Sequence, residues 1–136
     1  MQTGYKLKGI PCDSNHDTTI KKRLSFIEEN LQINNDQFFL DIGVGFGAYL
    51  KKIYSEVRQY IGIDVVEENL KIIKKDCHID NVHLIKNAAE FLPFDNCTFD
   101  NVIMIEVLEH VNDDKKTIRE IFRVLKPGGN LIITVV

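Results

Sequence analysis

The sequence predicts an α/β fold: a doubly wound, mainly parallel sheet of about five strands. Three observations predict it. Short apolar runs alternate along the chain with segments of helical period, the pattern of βαβ units and right-handed crossovers. Three glycines at alternate positions, Gly43, Gly45 and Gly47, follow the first of these runs. That run and the next each carry an acid at the end, Asp41 and Asp64.

Residues 1–16 contain Gly4, Gly9 and Pro11 with little periodicity and read as an arm. Tyr5 and His16 could reach a ligand from it, although a surface or packing role is by far the plainer reading of both. From Asp17, the apolar residues Ile20, Leu24, Ile27 and Leu31 fall on one face of a helix, with Asp17 or Thr18 as the N-cap. Asn34-Asn35-Asp36 turns the chain. Residues 1–35 are thus an arm and a helix, and residues 36–136 one α/β domain.

Phe38–Asp41 is a buried strand that enters the glycine turn. Glycine there takes φ > 0 and lets a ligand approach the backbone. The turn also aims the first N–H groups of the next helix at the crevice. Asp41, at the carboxyl end of the strand, stands where open α/β sheets bind ligands, and its carboxylate suits a cationic amine. Tyr49 (or Leu50), Ile53 and Val57 form the buried face of the following helix. Tyr60–Asp64 is the second strand. Asp64 lies 23 residues beyond Asp41, the position of an acid that accepts hydrogen bonds from ribose hydroxyls, although an isolated Asp there would also serve as a helix N-cap. Val65 follows, placed to lie against an adenine face.

Glu67 to about Cys77 is the next helix, with Leu70 and Ile73 inward, and Asn81–Lys86 the third strand. Residues 87–94 form a loop with a helical turn, stopped by Pro93. Asp100–Ile105, apolar in its interior, is a central fourth strand. Asp113 or Asp114 opens a helix with Ile118, Ile121, Phe122 and Leu125 inward, and Lys126-Pro127-Gly128-Gly129 ends it. Leu131–Val136 is the fifth strand.

The 136 residues suit one core, with 44% apolar and 27% charged residues. A net charge of −3 without a basic tract argues against a nucleic-acid partner. Lys51-Lys52, Lys74-Lys75 and Lys115-Lys116 read as solvated helix faces. Cys12, Cys77 and Cys97 are odd in number and spaced like neither a disulfide framework nor a metal site, which fits a reducing cytosol. No apolar run approaches membrane-spanning length, so no membrane is expected. The glycine loop alone leaves the nucleotide open, because Gly43-x-Gly45-x-x-Ala48 also fits the dinucleotide fingerprint.

Five segments in order narrow the choice: Leu40-Asp41-Ile42-Gly43-Val44-Gly45-Phe46-Gly47; Gly62-Ile63-Asp64; Ala89-Glu90-Phe91-Leu92-Pro93-Phe94 running into Phe99–Ile103; Glu106-Val107-Leu108-Glu109-His110-Val111; and Val124-Leu125-Lys126-Pro127-Gly128-Gly129. Together they resemble the class I S-adenosylmethionine-dependent methyltransferases, in particular the group that includes ubiquinone/menaquinone-type and other small-molecule enzymes. The resemblance covers about residues 36–136. It implies a Rossmann-like fold, S-adenosylmethionine as cofactor with S-adenosylhomocysteine as product, and a small-molecule methyl acceptor. It also implies roles. Asp41 and the Gly43 backbone would hold the methionine part, which packs on Gly45 and Gly47. Asp64 would bind the ribose and Val65 the adenine. Ala89 and Glu90 would flank the adenine edge, and Glu106 would lie near the sulfonium.

Two departures stand out. The family usually has an Asp just before the Ala-Glu pair, to take the adenine amino group; here it is Ala88, with Asn87 one residue away. The family's sheet has seven strands and this chain has room for five, which makes 131–136 an apolar edge strand: either the chain is a fragment or truncated product, or a homodimer or another chain covers that edge. His110 is the one general-base candidate, if the acceptor must lose a proton; a structural hydrogen bond is its plainer role. Glu109 reads as surface. No Asn-Pro-Pro-Tyr-type signature follows the fourth strand, where Ile105-Glu106-Val107-Leu108 stands. Three functions follow: a small-molecule methyltransferase, a non-catalytic cofactor-binding module acting with a partner subunit, or a nicotinamide-dependent oxidoreductase.

Overall fold

A computed structural model describes residues 16–76 and 78–135, without the side chains of His16, Asp17 and Asp76. The expectations at Tyr5, Cys12, Cys77 and Val136, and at the side chain of His16, lie outside the described residues.

In order, the elements are α1 (His16–Asn30), β1 (Phe38–Ile42), α2 (Leu50–Ile53) with a 3₁₀ turn (Tyr54–Glu56), β2 (Gln59–Asp64), α3 (Glu67–Asp76), β3 (Val82–Lys86), β4 (Phe99–Ile105), a second 3₁₀ turn (Leu108–His110), α4 (Asp114–Val124) and β5 (Leu125–Thr134). The strands form one sheet of order β3-β2-β1-β4-β5. Every pairing is parallel, as βαβ alternation requires.

Alternation along each strand separates two cores. Phe39, Tyr60, Ile103 and Ile132 face one side, where Ile27 of α1 and Leu31 just after it, Leu50 and Ile53 of α2, and Leu70 and Ile73 of α3 cover them. Leu40, Ile42, Ile63, Val102 and Met104 face the other, against Ile121 and Val124 of α4 and against Ala89 and Leu92 of the loop after β3. The sheet is therefore covered on both faces, and β1 and β4, two of its three inner strands, are apolar apart from Asp41, Asp100 and Asn101.

Several local expectations are corrected. The helix α1 already runs at His16, so neither Asp17 nor Thr18 is its cap; both lie in its first turn. The segment after the glycine loop is one α-turn and one 3₁₀ turn rather than a longer helix. Tyr49, Leu50, Ile53 and Val57 are nonetheless all buried, because Val57 reaches the core from extended backbone (φ −123°, ψ 159°) instead of from a helix face. No helical turn forms in residues 87–94; a single turn closes there through the Phe91 N–H to Ala88 O, 3.4 Å.

At the other end, α4 stops at Val124 and Leu125 already pairs with Phe99. Lys126-Pro127-Gly128-Gly129 thus lies inside β5, in an irregularity where Gly128 takes φ +79°. Phe122 is not inward but 39% exposed. The buried stripe of α4 runs through Thr117, Ile121 and Val124, and a neighbour of Ile121 is rotated about 100° off it. Asp113 is the N-cap, accepting from the Lys116 N–H at 2.9 Å.

Candidate functional site

The carboxyl ends of β1, β2 and β4 converge at one edge of the sheet, and the chain leaves each through a turn that its sequence demands. After β1, Gly43 and Val44 donate their N–H groups to the same acceptor, the carbonyl of Ile63 in β2, at 2.8 and 2.9 Å. Gly43 has φ +76°, and a Cβ there would sit 2.2 Å from Val107 Cγ2, so only glycine fits. Gly45 (φ +55°) instead borders open space, where an added Cβ would meet only the Gly43 carbonyl, at 4.0 Å. After β4, the chain turns at Glu106 with φ +56°, unusual for a side-chain-bearing residue. Its N–H is held by Thr134 of β5, by the carbonyl at 3.0 Å and the hydroxyl at 3.1 Å.

Between these turns lies a cavity of about 580 Å³. Gly43, Asp64, Val65, Ala89, Glu90, Glu106 and His110 all line it, joined by Asn87, Ala88 and Asn112. Asp41, Gly45 and Gly47 do not line it. Asp41 points to the opposite face of β1 from Ile42, and Gly47 packs toward Ile73 of α3. The amides expected to point into the crevice are partly committed, to Ile63 and, at Gly45, to Asp64. Moreover, α2 is a single turn.

Asp64 is the hinge of the cavity wall. Its Oδ2 accepts the Gly45 N–H and its Oδ1 the Val66 N–H, each at 2.9 Å. Each carboxylate oxygen keeps a second lone pair for a ligand hydroxyl. Beside it Val65 is 62% exposed, an apolar surface over the cavity. Glu90 is buried, and its Oε1 accepts the Asn112 N–H at 2.8 Å, tying the loop after β3 to the segment that precedes α4. Asn87 spends its Nδ2 on the carbonyls of Ala88 and Phe91, so it offers Oδ1, not a donor, to the cavity. His110 is exposed at the rim, with Nε2 3.8 Å from Glu109 Oε1.

A second group of polar side chains lies on the other face of β1, under α1. Asp41 is 1% exposed, and its Oδ2 accepts the Tyr60 hydroxyl at 2.7 Å. Burial pushes the Asp41 carboxyl up to about 7; the Tyr60 hydrogen bond opposes that rise and the charge of Asp64 adds to it. The Tyr60 phenol is itself held well above its ordinary value, by burial and by the Asp41 charge. Arg23 reaches in from α1 to an ion pair and hydrogen bond with Glu106, and it also bonds Tyr49. Burial would lower the Arg23 guanidinium, but these partners outweigh it and hold it above its usual value. Burial raises the Tyr49 phenol, against the pull of Arg23. Among the described residues, Arg23 Nε is buried without a hydrogen-bond partner.

Sequence reading missed Arg23, Tyr49, Tyr60 and Asn112. Arg23 had a signal: it shares the apolar face of α1 with Ile20 and Ile27, where a cation needs a partner inside. Tyr60 had none, since a tyrosine opening an apolar strand reads as core.

Comparison with known proteins agrees with this geometry. A family profile described as "Methyltransferase domain" matches residues 40–133. The ubiquinone/menaquinone biosynthesis C-methyltransferase of Wigglesworthia glossinidia brevipalpis is 34% identical over 107 residues, covering 74% of this chain and 43% of that protein. The mitochondrial ubiquinone biosynthesis O-methyltransferase of Rattus norvegicus is 34% identical over 130 residues, covering 84% of this chain and 38% of its own length. The chain thus spans about two fifths of the curated relatives it matches. Among solved structures, the YcgJ protein of Bacillus subtilis superposes with a TM-score of 0.75 at 26% identity, over 87% of this chain and 50% of that one. A [4+2]-cyclase, SpnF, superposes with a TM-score of 0.78 at 24% identity over 85% of this chain and 45% of that one, a likeness of fold alone. The alternating glycines, the acid-terminated strands, the parallel order β3-β2-β1-β4-β5 and the matched profile converge: this chain belongs to the class I S-adenosylmethionine-dependent methyltransferase family.

Proposed function

We propose that this protein transfers a methyl group from S-adenosylmethionine to a small-molecule acceptor in the cytoplasm, with residues 36–136 as the cofactor-binding unit and α1 as its cover. The observation that carries the reading is the cavity of about 580 Å³ whose walls gather Gly43, Asp64, Val65, Ala89, Glu90 and Glu106 from four separate motifs. The residues fit the cofactor's chemistry. Asp64 has acceptor capacity for the ribose hydroxyls, and Val65 offers an apolar face to the adenine. Asn87 Oδ1 can take the adenine amine where the family's Asp is replaced by Ala88. Asp41, which the family resemblance assigns to the methionine part, lies outside this cavity, buried and bonded to the Tyr60 hydroxyl. Glu106 is a carboxylate of the cavity wall, where the family resemblance puts the sulfonium.

When bound, the cofactor supplies an electrophilic methyl group on a sulfonium. The protein's share is orientation and electrostatics. The loop 87–90 and Asn112 close the cavity wall, and the Arg23–Glu106 pair holds the carboxylate in place. His110, at the rim, takes a proton from an acceptor that must lose one. The net charge of −3 argues against a nucleic-acid acceptor, and no described helix is long and apolar enough to cross a membrane.

Calorimetric titration with S-adenosylhomocysteine and, separately, NADH tests the reading. Micromolar binding of S-adenosylhomocysteine, weakened at least tenfold in Asp64→Ala, is expected. Tighter binding of NADH would replace the reading with an oxidoreductase. The alternative of a non-catalytic module working with a partner subunit is favoured by one observation: among the described residues β5 pairs only with β4, so its other edge could take a second copy or another chain. Light scattering that shows a dimer or larger species, with methyl transfer only in the assembled form, would select it.

A further inference from the structure

We infer that Arg23 is a positioning residue of the cavity: by pinning Glu106 and balancing its charge, it sets how strongly the cavity prefers the sulfonium cofactor over the neutral thioether product. The inference rests on the cofactor reading above. It deepens that reading by assigning the choice between the two ligands to a residue of α1 that does not itself line the cavity.

Among the described residues, three carboxylates stand in the cavity wall, on Asp64, Glu90 and Glu106. Asp64 is held by the N–H groups of Gly45 and Val66, and Glu90 by that of Asn112. Those donors are neutral and add no charge of their own. Glu106 is held differently. Its Oε1 takes an ion pair and hydrogen bond from Nη2 of Arg23, and a guanidinium is always a cation. The cation sits deeper than its partner: the Arg23 side chain is 11% exposed and that of Glu106 33%. The contact is fixed from both ends. Thr134 holds the Glu106 N–H through its carbonyl and its hydroxyl, which fixes the turn that carries the carboxylate. Arg23 is bonded to Tyr49, itself buried. Its Nε is buried with no hydrogen-bond partner among the described residues, so Glu106 is the carboxylate that compensates the buried guanidinium.

S-Adenosylmethionine and S-adenosylhomocysteine differ in one place. The first carries a methyl group and a positive charge on sulfur; the second has a neutral thioether. Adenine, ribose, ammonium and carboxylate are common to both, so their contributions cancel in the ratio of the two dissociation constants. The charge on sulfur does not cancel. A cavity of about 580 Å³ is about 10 Å across if round, comparable to the distance over which salt screens charges. A cation anywhere in it therefore feels Glu106. Two unit charges that far apart, in surroundings between protein and water, shift a binding equilibrium by roughly twofold to fifteenfold. Arg23 opposes that shift. The paired side chains present a dipole rather than a net charge, and the cavity takes charged cofactor and neutral product on nearer terms. Without Arg23 the Glu106 charge is uncompensated and the cofactor gains. Without Glu106 the Arg23 charge is uncompensated and the product gains.

The test is the dissociation constant of S-adenosylmethionine divided by that of S-adenosylhomocysteine, measured by calorimetry. The proteins are the wild type, Arg23→Met, Arg23→Lys, Glu106→Gln and the double variant Arg23→Met/Glu106→Gln. Arg23→Met lowers the ratio about threefold or more, and Glu106→Gln raises it by a similar factor. The double variant falls between them. Arg23→Lys keeps the charge and stays within about twofold of the wild type. Added salt shrinks both shifts. A role confined to stability would move both dissociation constants together and leave their ratio alone. An unchanged ratio in the single variants, or a shift in the same direction in both, therefore overturns the inference and leaves the cofactor reading standing. Absence of binding of either ligand by the wild type overturns both. Glu106→Gln, which keeps the shape of the side chain, carries the test by itself should Arg23→Met fail to fold.

Discussion

At Gly43, backbone conformation and packing make the same demand. A φ of +76° costs an alanine about 1–2 kcal/mol, and the Val107 methyl 2.2 Å from the would-be Cβ adds a clash. At Gly45 only the backbone term applies, since the space beside it is open. Gly43→Ala should therefore lower the unfolding free energy more than Gly45→Ala, by at least ~2 kcal/mol against ~1 kcal/mol, with unchanged m-values in urea unfolding. Equal losses would mean that the Val107 contact relaxes at no cost. Both residues were legible in the sequence as loop glycines. Which of them is pinned by Val107, a residue 64 positions away, was not, because that contact exists only once β1 and β4 lie side by side.

Among the elements, α4 does more than cover the sheet. Arg123 donates to the carbonyls of Phe94 (2.7 Å) and Leu92 (2.9 Å) and to Asn96 Oδ1 (3.0 Å). Glu120 is bonded to Arg123 and accepts the Leu92 N–H at 2.8 Å. The hydrogen bond from Arg123 holds the Glu120 carboxyl below its usual value. These bonds anchor the loop between β3 and β4, which carries Ala89 and Glu90 and has no helix of its own. Arg123→Met should cost about 1–2 kcal/mol of stability. It should also speed amide hydrogen exchange in residues 90–96 while leaving β1 and β2 protected. Uniform acceleration across the sheet would mean that the loop is not a separate unit. The sequence showed that a loop lies here, through Pro93, but not its anchor, since Arg123 is one of many charged helix residues until folding brings it beneath the loop's carbonyls.

For the molecule as a whole, a ligand that binds only the folded state must stabilise it. S-Adenosylhomocysteine at a hundredfold excess over its dissociation constant supplies about 2.7 kcal/mol. For a domain of this size that corresponds to a rise of roughly 10 °C in Tm. A scan with and without the ligand checks this, and an unmoved Tm would count against the cofactor site.

The sequence by itself determined the α/β class, the five strands, the glycine loop and most of the cavity lining. These follow from local rules: apolar runs, helical period, positive-φ glycines and acids at strand ends. Tertiary structure alone decided that α2 shrinks to one turn, that Leu125 leaves α4 for β5, and that Phe122 faces solvent. In each case long-range pairing and burial outweighed local propensity. It also decided that Asp41 lies outside the cavity, bonded to Tyr60, and that Arg23 pairs with Glu106. Such contacts join residues 19 and 83 positions apart. No local pattern encodes them, because they arise only when the strand order sets distant side chains face to face.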